Sequence, residues 1–325
     1  MRSLQLLHHY CSNAYSVLAR GPETTELWKE VVPHIACSHE CLMHGLLALS
    51  ALHYAHHHPD QRKEYGIISS AYQDLALQHF SVSLHTINEE NCEAFFLLAS
   101  FIVVLAMATI ANPQDADKIV TAKDVASMFS LMPGIQTILD FKPMERWRQH
   151  GPLGALLQEF EEPPQISDGM FQRRMEQLSA LAREISPRFT VINERSACLL
   201  AIESLASTYS IATNNNSCLS ARWVWAWPNT LPQLFIDMIG NSYPLALVIL
   251  AHYAALTRPF EHDSWVSQGW STSVLDVVER NLNTSWKDWL LWPKECLKNG
   301  HIVEDTDEHT HLMDTGEPGG HQATD

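Results

Sequence analysis

His34, Cys37, His39, Cys41 and His44 fall within eleven residues, and His53 and His57 stand four apart. Imidazole and thiolate are ligands of zinc and its neighbours, so this density raises a metal site first. Ligand atoms must converge to within about 2.0–2.3 Å of one point. On a helix, residues four apart share a face, whereas His39 and His44 are five apart and diverge. A zincin helix needs His-Glu-x-x-His; the chain reads His39-Glu40-Cys41-Leu42-Met43-His44, one residue too long. The spacing therefore implies no metal and no cofactor, with the histidines packed in a core or solvated.

Other reactive groups fare no better. There is no Gly-x-Ser-x-Gly elbow, and no strand–turn–helix pattern to present one. A thiolate pair built from Cys37 or Cys41 and a nearby His would need an exposed, electropositive setting, while apolar helix faces leave thiols inert. The acidic clusters, Glu89-Glu90 and Glu159-Phe160-Glu161-Glu162, do not form an Asp-rich motif inside an apolar helix of the kind that binds magnesium and diphosphate. Glycine loops that cradle phosphate are also missing. These absences make catalysis the minor reading.

The elements that must carry these side chains are helical throughout. Leu42, Leu46, Leu49 and Leu52 recur at three- and four-residue spacing, predicting a helix from about Ser38, capped by Ser38 with Glu40 in its first turn. His58-Pro59 ends it. Further helices are expected at Leu4–Leu18, Trp28–Ile35 (interrupted by Pro33), Lys63–Ile87, and from a cap at Asn91 to Asn112. Lys123–Leu139, Gly169–Ile185, Val191–Thr213, Pro232–Ile239, Tyr243–Leu256 and Ser271–Leu282 continue the pattern. Residues 142–168, with four prolines, read as an irregular connection holding one short helix near Leu153–Phe160.

Phe95 to Ala111 carries no charge, but about 17 apolar residues fall short of the ~20 that usually span a bilayer. No Lys or Arg flanks the segment before Lys118. It reads as a buried central helix, with no membrane span. The expected class is all-α: a single helical bundle or helix-pair stack over residues 3–298 with an apolar interior pocket, followed by a disordered acidic tail over 299–325.

Composition sets the partners. Of 325 residues 46% are hydrophobic, enough for a sizeable core, and six of ten Trp lie between Trp223 and Trp286. A net charge of −16 with no basic cluster argues against direct nucleic-acid contact, which needs grouped Lys and Arg. Seven scattered cysteines (Cys11, Cys37, Cys41, Cys92, Cys198, Cys218, Cys296) and no secretory signal imply a reducing compartment with free thiols.

Beyond periodicity, the wording is familiar. Ser38, His39, Leu42, His44, Gly45, Leu46 or Leu47, and Ala48-Leu49-Ser50-Ala51-Leu52-His53 resemble the helix that opens the regulatory domain of fungal binuclear zinc-cluster transcription factors, in the branch of the sterol uptake regulators. Leu4 to Tyr10, Trp28 with Val31 to Pro33, Ser70 to Phe80 and Glu90 to Ala94 are similar to further phrases of that domain. So are Pro244 to Ala254 and Trp289-Leu290-Leu291-Trp292-Pro293, all in the same order. The likeness covers roughly 3–110 and 222–293. It departs at Glu40 and Cys41, where relatives tend to have proline and a bulky apolar residue. No Cys-x-x-Cys occurs, so the chain is expected to be the regulatory half without the zinc-cluster module.

The resemblance implies a bundle enclosing an apolar pocket that couples a sterol- or terpenoid-like ligand to control of sterol or specialised-metabolite genes. Localisation would be the nucleus or cytoplasm, with homo- or hetero-oligomers of related regulators as partners. The pocket residues it suggests are Phe95, Phe96, Phe101, Trp225, Trp227, Phe235, Met238 and Tyr253. The plainer reading of each is core packing, since apolar residues at helical spacing are usually core. Two rivals remain at this level: a pathway enzyme of isomerase or cyclase type reusing the fold, and an interaction subunit that pairs with a full-length regulator.

Overall fold

The computed structural model describes residues 1–19, 21–113, 119–149, 153–157, 169–184, 192–213, 221 and 223–302. Among them there is no strand. In chain order the α-helices are α1 (Arg2–Ser12), α2 (Pro22–Glu26), α3 (Val32–Ala36), α4 (Glu40–His57), α5 (Arg62–Ser83), α6 (Cys92–Ala111) and α7 (Ala122–Leu139). They continue with α8 (Met144–Gln149), α9 (Gly169–Glu184), α10 (Ile192–Thr213), α11 (Gln233–Gly240), α12 (Pro244–Thr257), α13 (Trp270–Asn281) and α14 (Leu291–Asn299). The all-α class read from the periodicity holds. Most of the expected acidic tail, residues 303–325, and part of the expected connection, 158–168, lie outside the described residues.

Local chemistry sets several boundaries differently from the sequence reading. Helix α4 starts at Glu40 with His39 as N-cap and without a side-chain cap bond, so Ser38 does not serve that role. Asn91 is the N-cap of α6, as expected, but makes no side-chain cap bond: its Oδ1 accepts from the Asn88 backbone N–H and its Nδ2 donates to Thr86 O, closing the preceding turn. The reciprocal cap lies at α7, where Thr121 and Asp124 exchange side-chain and backbone bonds, holding the first turn. Pro33 does not interrupt its segment. A π-helical turn, Leu27–Val31, joins α2 to α3, and Pro33 sits in the first turn of α3, where its missing N–H costs little.

The longest apposition is the hairpin of α4 and α5, with α1 and α6 packed on the other sides of α4. Gly45 lets α6 come close: a Cβ there would lie 2.8 Å from Leu98 Cδ1 and 3.5 Å from Phe101 Cβ. Around this contact Tyr10, Trp28, Leu42, Leu46, Leu49, Leu98 and Phe101 form an N-terminal core. A second core gathers Phe129, Leu205, Val224, Trp227, Phe235, Tyr253, Trp270 and nearly all of α12.

Helix α6 belongs to both. Phe95 to Leu105 pack in the first core, Ile110 and Ala111 in the second, and Met107 touches each. It is the single described helix long and apolar enough to cross a bilayer, and here no residue of 92–111 is exposed. Its C-terminal end is tied to the distal half. Asn112 Nδ2 donates to Trp265 O and Gln268 O, and Gly269, at φ +92°, would place a Cβ 3.2 Å from Ala111 O. That approach and that φ both favour glycine.

Candidate functional site

The eight residues suggested as a pocket divide between the two cores. Phe95, Phe96 and Phe101 lie in the N-terminal one: Phe101 meets Tyr10 and Trp28 edge-on at 6.0 and 5.7 Å, Phe95 lies against Phe80, and Phe96 against Trp147. Trp227, Phe235, Met238 and Tyr253 are buried in the other, with Trp225 half-buried at its edge.

The second group forms an aromatic nest that includes two rings the sequence did not single out. Trp227 stacks on Tyr253 at 4.3 Å, and Phe129 stands within 6.0–6.3 Å of Trp227, Tyr253 and Trp270. Trp225 meets Trp270 at 5.4 Å, nearly perpendicular. Helices α7, α12 and α13 therefore build the nest together, which no local pattern reveals. Its polar atoms are mostly satisfied. Trp227 Nε1 donates to Ser204 Oγ at 2.9 Å, and the Tyr253 hydroxyl donates to Val224 O at 3.0 Å. Burial lifts the Tyr253 phenol well above its usual range, so it stays a neutral donor. The Trp270 indole N–H is buried and has no acceptor among the described residues.

An open cleft lies elsewhere. Ser16, Val17, Ala19, His53, His57, His262, Ser264 and Trp265 line about 290 Å³ between the turn after α1, the end of α4 and the segment before α13. Its lining carries imidazoles and hydroxyls but no carboxylate to orient them. Behind it, His9 Nε2 and His53 Nδ1 are 2.9 Å apart, and Asn13 Nδ2 faces His9 Nδ1 at 3.5 Å. A neutral pair of imidazoles satisfies this contact, one ring donating and the other accepting.

Burial first, then the neighbouring His57, His9, His56 and His58, hold the His53 pKa down to about 3; His9 is lowered for the same two reasons. His252, fully buried with Nδ1 donating to Val248 O at 2.9 Å, is held down to about 4 by burial. A group whose folded pKa is depressed contributes its stability above the unfolded value, near 6.5, and loses it as pH falls toward the folded value. The His53 site should therefore lose stability as pH falls from 7 toward 5. Urea midpoints measured over that range should fall for the wild type and fall less steeply in His53→Gln, with His252 and His9 accounting for the remaining slope.

The thiols are quiet. Cys41, Cys92 and Cys198 are buried thiols outside any disulfide, and burial with Glu194 nearby pushes the Cys198 thiol up to about 12. Such thiols are not nucleophiles.

The chain has recognisable relatives. Residues 5–147, from α1 into α8, match the family model described as a fungal specific transcription factor domain, the family that the sequence resembles. A Zn(2)-C6 fungal-type transcription factor of Gibberella zeae is 25% identical over 311 residues, covering 90% of this chain and 61% of that protein. Sterol uptake control protein 2 of Saccharomyces cerevisiae is 32% identical over 113 residues, and that of Candida albicans 30% over 115. Each of these stretches is 34% of this chain, and they make up 11% and 15% of the two yeast proteins. The chain thus spans about three fifths of the Gibberella relative and a small part of the yeast ones.

Proposed function

We propose that this chain is the regulatory domain of a fungal transcription regulator that senses an apolar, sterol- or terpenoid-like ligand and so controls sterol or specialised-metabolite genes. It would act in the nucleus, or in the cytoplasm before entry, as an oligomer with itself or related regulators. The observation that carries this reading is the aromatic nest around Phe129. Its rings pack on one another, with a half-buried Trp225 at the rim and one donor, Trp270 Nε1, without a partner among the described residues; a rigid hydrocarbon with a hydroxyl would part the rings and take that donor. Pockets for small apolar ligands combine such walls with a few placed polar groups. The names of the yeast relatives point to the same ligand class.

Binding would select a packing in which Trp225 swings from Trp270, and only a ligand that favours one packing over the other shifts the balance. Ergosterol titrated into the purified chain should quench tryptophan fluorescence and raise Tm. Trp270→Phe keeps the ring and removes the donor; losing one hydrogen bond of about 1 kcal/mol should weaken binding roughly fivefold. If neither ergosterol nor cholesterol shifts Tm, and the purified protein holds no extractable lipid, ligand sensing falls and the domain assignment stands.

A further inference from the structure

Glu40, His44 and His79 come together at the open end of the α4–α5 hairpin, with one ligand atom from each within 4.8 Å of the others. Glu40 and His44 are four apart on α4, one above the other on a single face, and His79 arrives from the last turns of α5. The rings of His44 and His79 are 5.5 Å apart, and Tyr72, two turns before His79 on α5, lies against His44 at 5.9 Å. His44 Nδ1 is buried and has no hydrogen-bond partner among the described residues, although the ring is only half-buried. An imidazole nitrogen in that condition costs free energy unless something occupies it.

We propose that Glu40, His44 and His79 bind a divalent transition metal, zinc in the first instance, with a fourth position open to water. Two imidazoles and one carboxylate are a known zinc donor set, and three protein ligands leave that position free. Oxygen and nitrogen ligands about 2.0–2.1 Å from zinc stand roughly 3.4 Å apart in a tetrahedron, so the cluster must close by about an ångström. Glu40 is exposed and His79 half-buried, so rotation of their side chains supplies that movement. The metal would pin the first turn of α4 to the last turns of α5 and lock the hairpin register. No residue of the cleft or of the aromatic nest is involved, so this site and ligand sensing stand or fall separately.

The test uses the full untagged chain and zinc alone. Chelator competition should give one zinc per chain, and Glu40→Gln and His79→Gln should each weaken it tenfold or more while His57→Gln leaves it unchanged. Cobalt substitution should give visible d–d bands without a thiolate charge-transfer band, and zinc should raise Tm in the wild type but not in Glu40→Gln. Circular dichroism checks that both variants fold; each changes a side chain that is not fully buried. The proposal is overturned if no zinc binds, if both variants bind as the wild type does, or if the cobalt spectrum reports cysteine.

Discussion

Replacing Glu261 with alanine is expected to destabilise the fold by about 3–5 kcal/mol, the cost of breaking a buried ion pair from one side. Glu261 is fully buried in the 3-10 segment that follows α12. One carboxylate oxygen accepts from Arg258 Nη1 at 2.8 Å and from the Gly269 backbone N–H at 3.3 Å; the other accepts from the Ser271 N–H. Those two amides belong to the N-terminus of α13, whose N-cap Gly269 has no side chain to serve them. Glu261 therefore does from a distance what a capping residue does locally, with its negative charge at the positive end of the helix. Alanine would leave a guanidinium and two amides without their acceptor. Glu261→Gln keeps the shape and one acceptor oxygen, so it should lose less. Guanidinium denaturation of both variants measures the difference, and a loss under about 1 kcal/mol for alanine would remove this carboxylate from its anchoring role.

Phe129→Ala should be comparably severe, about 3–5 kcal/mol, because it empties the middle of the nest. Phe129 is fully buried and touches Trp227, Tyr253 and Trp270, so the loss combines transferred area, a cavity with stiff walls, and three ring contacts. The indoles and the phenol are pinned by their neighbours and by bonds to Ser204 and Val224, which limits collapse into the space. Denaturation gives the stability, and Phe129→Leu, which fills much of the volume, should recover more than half of it.

These two residues mark where sequence reading stops. Helix positions and the buried character of α4, α6 and α12 were legible, because leucines and alanines at three- and four-residue spacing leave few alternatives. The likeness at His39 to His53 and at Pro244 to Ala254 added the family. What spacing cannot give is which faces meet. His44 and His79 are 35 positions apart along the chain, and they pair only through the register of the α4–α5 hairpin. Counting along one helix leaves out His79, which only the second helix brings to that face. Phe129 and Trp270 do not stand out because nothing near them in the chain is unusual. The suggested pocket residues are nearly all aromatic, and that property does not tell which of the two cores each joins. Glu261 looks like one acid among many.

Since α6 runs through both halves as one uninterrupted rod, its length is as constrained as its composition. Adding a single residue between Phe101 and Ile110 would turn the far segment by about 100° relative to the near one. The rings that seat against Gly45 would stay in place, while Ile110, Ala111 and the Asn112 tether would swing away from Gly269. Substitutions along this rod can be absorbed one at a time, but insertions and deletions cannot.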